Sequence, residues 1–422
     1  MPTSQYPHSI PNVHPHQLLR LSPPNCSSLY FNYSAYSPDA RYLIISTLEG
    51  ISRLKIGTWE SESVLEIQEE WKLLFTGRKS GKVWYEINKS EIWTVDIDSG
   101  SSSGTKICDI PAGSEIQSLN ADETLLACVR VEPGYKHPTL DFFANRDKKT
   151  DQFDYRATWP DGTEMCYADA KEVKLAERLT AAIPMEIFTI DTTTGEQKVV
   201  VKSTDWLNHL MFSPTDPNVL MYCHEGPWHM VDRLWYITLD DSTELPTPVK
   251  VHERKMNMEI AGHEWFSSDG QTIWYDLQLP RGQSFWVAGY HLPTKQRQWY
   301  NLSRNDWSVH FHSNPTNTQF CGDGGDDSMV AHAPDGKYLY LFTPKPTPDV
   351  AGLKASNSDD LIKGGHFDRE KVVDLGENDY RLEPNANYTP DGKWVVFRSN
   401  MEGEMAVYAV KVERDAQSGD AA

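Results

Sequence analysis

Four polar side chains stand at one fixed distance before a recurring turn. Four residues ahead of the Ser, Thr or Asn that opens four copies of the turn, the sequence has His209, His263, His310 and Asn385, and the same offset in two other copies gives Tyr33 and Ile116. Glu383 lies two residues before Asn385, on the same face of an extended segment. Imidazole, carboxylate and amide groups gathered in one place suit a divalent metal ion of the Mn, Zn or Fe type. A closed structural zinc site is not expected, because no thiolate stands at these positions.

The turn belongs to a repeat that predicts how these residues are positioned. Each copy reads as strand, tight turn, strand, and a hairpin with period-two alternation follows it. Seven units at a spacing of roughly 40 to 60 residues predict an all-β fold, a seven-bladed β-propeller with four antiparallel strands per blade. A β-sandwich pair is the alternative, which the regular recurrence of the turn disfavours. The copies of the turn lie at 36–46, 119–129, 212–223, 266–276, 313–324 and 388–399, and an irregular second unit lies at 73–87.

A propeller would bring the four polar residues together. The strand that leads into the turn is expected to be the innermost strand of its blade, lining the central channel. Equivalent positions on these strands are related by the propeller axis, so the four side chains should ring one end of the channel. A single histidine near a strand end is more often structural than functional. Three histidines at one register point to a site.

The remaining sequence sets the domain boundaries. Residues 1–17 are expected to form a mobile N-terminal segment, 18–412 a single propeller domain and 413–422 a C-terminal tail. The stretch 133–180 breaks the repeat and is expected to be a loop insertion with one short helix around "DAKEVKLAERLTAA". Because no Gly/Ser-rich or Pro-rich linker divides the chain, one continuous repeat array is the simpler organisation.

Composition excludes several classes of partner. The net charge of −20 and the pI near 5.1 argue against nucleic acid, which requires clustered Lys and Arg. The six cysteines show neither disulfide-framework nor zinc spacing, which favours a reducing, cytoplasmic setting. No apolar run approaches the length that spans a membrane, so no membrane partner is expected. The oligomeric state stays open.

Several long segments resemble one known family. The resemblance is to the oligogalacturonate lyases, pectin-degrading seven-bladed β-propellers, and it runs from about residue 18 to 412. It implies cytoplasmic cleavage of short galacturonides by β-elimination, with a Mn²⁺-like ion in the central channel. The segments that carry it are "WLNHLMFSPTDP", "CHEGPWHMVDRLWYI", "EIAGHEWFSSDGQTIWYDLQ", "DWSVHFHSN" with the later "GDGG", and "LEPNANYTPDGKWVVFRSN".

The resemblance also implies roles for individual residues. The proposed Brønsted-base histidine of the family falls on His209, and a metal-ligand histidine falls on His263. The other family ligands are a Gln followed by His-Pro-His in the last blade, where this sequence has Glu383, Pro384 and Asn385. Glu383 and Asn385 would replace two imidazoles with oxygen ligands. The departure could also mean a different substrate or the absence of a metal.

Uronide elimination requires chemistry that such a site can supply. The C5 proton must be removed, the glycosidic oxygen must leave C4, and charge on the C6 carboxylate must be stabilised. A neutral His209 can take the proton, and Mn²⁺ at His263, Glu383 and Asn385 would stabilise the carboxylate. Further contacts with the acidic oligosaccharide are expected from His310, whose alternative role is that of a fourth metal ligand. They are also expected from four residues that could equally be surface groups, namely His224, His229, Arg233 and Arg281.

Other functions remain open at this point. A lyase for a different uronide, such as a glucuronide, would use the same chemistry. A non-catalytic sugar-binding or interaction propeller would not need convergent histidines and usually has more uniform repeats. A hydrolase would need two inward-facing carboxylates at a set distance, and only Glu383 is expected to point inward.

Overall fold

The computed structural model describes residues 5–98, 103–136, 158–240, 242, 244–380 and 382–415. Small β-sheets follow one another along the chain as seven blades, which confirms the all-β, seven-bladed β-propeller. Two short strands, β1 (His8–Ile10) and β2 (His16–Arg20), precede the first blade. Blades one to three contain β3 (Tyr42–Ser46), β4 (Gly50–Lys55) and β5 (Ser61–Glu66); β6 (Trp71–Thr76), β7 (Lys82–Ile87), β8 (Glu91–Asp96) and β9 (Thr105–Asp109); and β10 (Ser114–Leu119), β11 (Leu125–Val131), β12 (Met185–Asp191) and β13 (Gln197–Ser203).

The second half of the chain supplies the other four blades. Blades five and six join into one eight-stranded sheet, because their outermost strands pair in parallel. Blades four to seven contain β14 (Trp206–Phe212), β15 (Val219–Glu225), β16 (Leu234–Thr238) and β17 (Val249–Lys250); β18 (Ile260–Phe266), β19 (Thr272–Gln278), β20 (Phe285–His291) and β21 (Arg297–Leu302); β22 (Phe311–Ser313), β23 (Phe320–Gly322), β24 (Tyr338–Pro346) and β25 (Lys363–Asp374); and β26 (Asn387–Tyr388), β27 (Trp394–Ser399) and β28 (Ala406–Arg414).

The expectation of four strands per blade is wrong for the first and last blades. The first blade has three strands, and the last has five because β1 and β2 join it. In the first blade the inner position is taken by an irregular segment that contacts β3 through isolated bridges, Ser27 with Ser46 and Tyr36 with Leu43. This segment, which includes residues 30–33, enters the channel instead of lining it as a regular strand.

The recurring turn has a chemical reason in the structure. In the first copy the Ser37 hydroxyl donates to the Asp39 carboxylate at 2.7 Å and accepts the backbone N–H of Tyr42 at 2.9 Å. A short polar side chain that binds nearby backbone groups stabilises a tight turn. The Thr389 hydroxyl likewise donates to Asp391 at 2.6 Å. The turn therefore fixes where each innermost strand ends.

The insertion in the third blade contains the expected helix. Helix α1 (Tyr167–Ala181) lies between β11 and β12. Two 3₁₀ turns occur at Arg304–Asp306 and Ser358–Asp360. The stretch 137–157 of the insertion lies outside the described residues. Among the described helices, none is both long enough and apolar enough to cross a membrane.

The N-terminal strands close the propeller. The boundary expected at residue 17 falls inside β2, which pairs with β28, while β1 pairs with β2. The physical reason is that the last blade would otherwise expose the edge of β28. The first and last strands of the described chain are thereby held in one sheet.

Removing a side chain from this closing strand should destabilise the fold. Leu18 is 4% exposed and packs in the core, so Leu18→Ala is expected to lower the free energy of unfolding by about 2 to 5 kcal/mol. Val13, which is 82% exposed, provides the control, since Val13→Ala should stay within about 0.5 kcal/mol. Denaturant unfolding measures both. Equal effects of the two substitutions would contradict closure by β2.

Candidate functional site

The innermost strands bring three imidazoles together in the channel. The ring centroids of His209 and His263 are 6.3 Å apart, and those of His263 and His310 are 4.6 Å apart. Asn385 joins them through Asp323, which binds both Asn385 and His310. His209, His263, His310 and Asn385 are called the ring residues below.

Irregular backbone conformation orients the side chains of two ring residues. His209 and Asn385 have positive φ angles of 51° and 55°, a conformation that side chains other than glycine seldom adopt. The pairing register shifts between Asn208 and Met211 in β14, and again around His263 in β18. Such bulges re-aim side chains and are common next to functional sites. Two of the four ring residues therefore stand at strained backbone positions.

His310 is completely buried between two partners. Its Nδ1 lies 2.8 Å from Asp323 Oδ2, and its Nε2 lies 3.1 Å from the Tyr30 hydroxyl. Burial by itself would lower the pKa of His310, but the charges of Asp323 and Glu383 outweigh it and raise that pKa. Both ring nitrogens of His310 are occupied by protein partners. The placement of His310 therefore does not support its expected contact with substrate.

Glu383 and Asn385 lie next to His310. Glu383 Oε2 is 3.7 Å from His310 Nε2. The Asn385 backbone N–H donates to Asp323 Oδ2 at 3.1 Å, and its side-chain amide donates to the Glu383 carbonyl oxygen at 3.0 Å. The Asn385 Oδ1 atom is buried without a hydrogen-bond partner. A buried acceptor without a partner is costly unless a ligand uses it.

His209 faces one carboxylate on each side of its ring. Its Nδ1 lies 3.7 Å from Glu264 Oε1, and its Nε2 lies 4.0 Å from Glu225 Oε2. Burial lowers the pKa of His209, and the positive charge of Arg233 adds to that effect, while Glu264 and Glu225 oppose it. The imidazole is therefore neutral near pH 7.

A buried network holds these two carboxylates. Arg233 Nε donates to Glu264 Oε2 at 3.1 Å, and both side chains are almost fully buried. The Asn208 amide donates to Glu225 Oε2 at 2.6 Å. Burial would raise the pKa of Glu225, but the positive charges of Lys171, His209 and Arg233 lower it to about 2. Arg233, expected at the channel rim, thus lies inside the site.

A cavity opens beside His263 at this end of the channel. Its polar wall includes Asp276, where burial raises the pKa to about 7. Its apolar wall includes Trp228, Trp307 and Met329. The other polar residues that line it are Lys171, Glu225, Arg233, His263, Gln278 and Glu383. One cavity thus contains imidazole, carboxylate, ammonium and guanidinium groups beside a surface on which a sugar ring could pack.

Helix α1 covers one side of this cavity. Lys171 reaches to within 3.8 Å of Glu225 Oε1, and Ala168 also lines the cavity. The helix is held by Glu172, both of whose oxygens lie 2.7 Å from Arg281 Nη1. His229 Nδ1 is 3.8 Å from Glu172 as well. Arg281 therefore fixes the helix, and neither Arg281 nor His229 lines the cavity.

Breaking this contact should loosen the helix. Arg281→Met is expected to speed amide hydrogen exchange in α1 about fivefold, because an ion pair in this partly buried position contributes roughly 1 kcal/mol. Lys174→Met serves as the matched control, since Lys174 pairs with Glu177 on the exposed face of the same helix. Equal exchange rates in both variants would show that Arg281 does not hold α1.

His224 lies apart from the ring residues. Its Nδ1 is 2.9 Å from Asp205 Oδ2, and its ring stacks on Trp235 with centroids 5.3 Å apart. It does not line the cavity that contains His263. The expected substrate contact by His224 is therefore not supported by its placement, because strand alternation turns it away from Glu225 next to it.

The ring residues can be tested for their fit to a divalent ion. In the described part of the chain, no three His, Cys, Asp or Glu side chains form a ready metal cluster. A site at His263 and Glu383 therefore needs a donor of another type, and the amide oxygen of Asn385, two residues after Glu383, is a buried acceptor without a partner. Imidazole, carboxylate and amide oxygen together fit an ion that accepts mixed nitrogen and oxygen ligands.

The sequence did not reveal several charged residues of the site. Glu225, Glu264 and Asp276 all point inward, contrary to the expectation that only Glu383 does so. A signal existed for Glu264, which follows His263 directly. No sequence signal pointed to Lys171, because its position depends on how the insertion folds over the channel.

Comparison with known proteins places the chain among its relatives. The profile of a family described as "Oligogalacturonate lyase" matches residues 168–416. The chain belongs to the oligogalacturonate lyase family. Within this family, it is 29% identical to an oligogalacturonide lyase of Pectobacterium atrosepticum over 234 residues, and 28% identical to an oligogalacturonate lyase of Dickeya dadantii over 234 residues. Each match covers 54% of this chain and 55% of the relative, so it spans about half the length of these curated relatives.

Solved structures of oligogalacturonate lyases share the fold. One, described in complex with manganese, superposes with a TM-score of 0.70 at 19% identity and covers 96% of both chains. Another, from Vibrio parahaemolyticus, gives a TM-score of 0.71 at 19% identity and 96% coverage of both chains. At this identity, the likeness establishes the seven-bladed architecture over nearly the whole chain.

Proposed function

We propose that this chain cleaves short oligogalacturonides by β-elimination, with His209 as the base. The observation that carries the proposal is the neutral imidazole of His209, close to a cavity that contains Arg233 and Lys171, in a chain of the oligogalacturonate lyase family. The relatives in Pectobacterium and Dickeya carry names of the same activity. The substrate is an acidic oligosaccharide, and a related glucuronide remains the second candidate because its elimination needs the same groups.

Glu264 determines which nitrogen of His209 acts. It faces Nδ1 at 3.7 Å, closer than the 4.0 Å between Nε2 and Glu225, so a proton is favoured on Nδ1 and the lone pair on Nε2. Arg233 neutralises Glu264, which prevents this carboxylate from holding His209 in its charged form. A neutral imidazole that keeps its lone pair on Nε2 can accept the C5 proton of a uronate.

Cationic side chains supply the electrostatic part of the reaction. Negative charge grows on the C6 carboxylate when the C5 proton leaves, and Arg233 and Lys171 line the same cavity. Fixed positive groups in a site that excludes water stabilise such charge strongly. Asp276 is a candidate proton donor to the departing oxygen, since its pKa of about 7 keeps much of it protonated near neutral pH.

The same site is proposed to hold a divalent ion, with Mn²⁺ favoured. His263, Glu383 and Asn385 would hold it, His310 being occupied by Asp323 and Tyr30. Support comes from the unpartnered Asn385 oxygen and from the related lyase described in complex with manganese. A bound cation would supply further stabilisation of the uronate carboxylate.

Product analysis tests the proposed reaction. Incubation of the purified protein with digalacturonate and trigalacturonate should give products with a C4–C5 double bond, seen as ultraviolet absorbance that rises with time. Reducing ends formed without that absorbance would instead indicate a hydrolase, for which Glu225 and Asp276 are inward-facing carboxyl groups. A panel that includes a glucuronide oligomer identifies the sugar.

A reducing, cytoplasmic setting is proposed for this activity. All six cysteines are free in the structure, and four of them are buried. Thiols that stay unpaired are typical of a reducing compartment.

A further inference from the structure

A second cavity lies in the central channel beyond the ring residues. Its volume of about 340 Å³ falls within the range of about 300 to 1,000 Å³ that is usual for small-ligand sites. Each ring residue is followed two positions later by a residue that lines this cavity. Innermost strands of a propeller run in the same direction, so the two sets form two levels of one channel. The second level consists of Met211, Trp265, His312 and Asn387.

The irregular segment 30–33 separates the two levels. On one side, Tyr30 hydrogen-bonds His310, and the Phe31 ring lies 4.7 Å from the His310 ring. On the other side, Phe31 and Tyr33 line the second cavity. The Asn32 amide fixes the segment by donating to the Glu264 carbonyl oxygen at 3.1 Å. The second cavity is therefore distinct from the cavity beside His263.

Arg78 supplies a positive charge in the second cavity. It lines both this cavity and a smaller adjoining one, and its guanidinium has no hydrogen bond or ion pair with any residue that the structure describes. Its side chain is exposed to water in the channel, while the surrounding protein wall lowers its pKa to about 10. The side chain stays charged at neutral pH.

The wall of the second cavity contains no carboxylate to neutralise Arg78. None of the described residues that line it is Asp or Glu, although the chain has 60 acidic residues and a net charge of −20. The nearby turn carboxylates are engaged elsewhere: Asp39 and Asp391 each accept from a hydroxyl and from a backbone N–H of their own turn. A guanidinium that faces the channel without a protein partner can pair with the carboxylate of a ligand.

The remaining wall suits a hydroxylated ring. Tyr33 offers a partly exposed aromatic face, and Ser34 and Ser268 offer hydroxyl groups. The His312 Nδ1 atom accepts the Tyr388 backbone N–H at 3.3 Å. Burial, with the charge of Arg78, lowers the pKa of His312 to about 4. The neutral ring therefore carries its proton on Nε2, a further donor.

We propose that this second cavity binds a small sugar acid, with the ligand carboxylate held by Arg78. A single guanidinium matches one carboxylate in a bidentate contact. An inorganic phosphate dianion would leave one negative charge unbalanced. Among the described lining residues, Arg78 is the one cation, and His312 is neutral. The proposal is independent of the reaction at the ring residues.

Calorimetric titration with monomeric galacturonate tests this site without any turnover. The wild-type protein should show saturable binding, and in Arg78→Met at least one component should weaken tenfold or more. Lys79→Met is the matched control, because it removes the same charge one residue away, outside the cavity lining, and should bind as the wild type does. Galactose, which lacks the carboxylate, should bind at least tenfold more weakly.

Further variants and ligands separate the other outcomes. Arg78→Lys keeps the charge and should retain more binding than Arg78→Met, and thermal unfolding midpoints within a few degrees of the wild type will show that both are folded. Identical titrations in Arg78→Met and the wild type would overturn the proposal, as would the absence of saturable binding to the wild type. Tighter binding of inorganic phosphate than of galacturonate would overturn the assignment to a sugar acid.

Discussion

Replacing His209 by Ala is expected to lower turnover of an oligogalacturonide by about 10²-fold or more while leaving the metal content unchanged. The base acts in the transition state, so its loss lowers kcat rather than weakening the hold on an ion. His209 lies between Glu225 and Glu264 and not among the proposed ligands. Steady-state rates and elemental analysis of the same preparation measure both effects.

His224 provides the matched control for this prediction. It is also a strand histidine beside a carboxylate, but it binds Asp205 outside the cavity. His224→Ala should therefore keep nearly full turnover. Loss of metal in His209→Ala would make His209 a ligand, and unchanged turnover in that variant would place the base elsewhere.

The dependence of activity on pH should reflect the protonation of His209. Burial lowers the pKa of His209 from its ordinary value, and the neutral imidazole is the active form. Activity should therefore persist on the acid side of about 6.5, the usual pKa of histidine, and fall only when pH drops through the lowered pKa. An acid limb centred above 6.5 would contradict this assignment.

The second large effect concerns His263. His263→Ala is expected to remove the bound metal and to lower turnover by about 10²- to 10³-fold or more, because electrostatic stabilisation of the carboxylate is lost. Burial and the positive charges around it lower the pKa of His263 well below its ordinary value, so the neutral ring is available to bind an ion. Elemental analysis after dialysis measures the metal directly.

Two further preparations make the metal prediction decisive. His332→Ala is the control, since His332 is a half-exposed histidine next to Asp327 and does not line the cavity. It should retain metal and activity. Full activity of a chelated, metal-free wild-type sample would rule out a metal requirement, and Arg233 and Lys171 would then carry the electrostatic role.

Much of the architecture could be predicted from local sequence. The Ser37 to Asp39 turn and its copies are stabilised by contacts within a few residues, so they are visible as a short motif. The fixed offset before the turn placed His209, His263, His310 and Asn385 at one level of the channel. This worked because equivalent strands in a propeller are related by its axis.

What each ring residue does was decided by contacts between distant parts of the chain. The sequence alone determined the blades, the register of the ring and the family resemblance, because these depend on local turns and strand periodicity. Only the tertiary structure decided that Asp323 and Tyr30 bury His310, that Arg233 neutralises Glu264, and that helix α1 brings Lys171 to the cavity. Likewise, it decided that β2 closes the last blade. Burial and charge pairing across blades set protonation and exposure, and no local pattern encodes which distant side chains will meet.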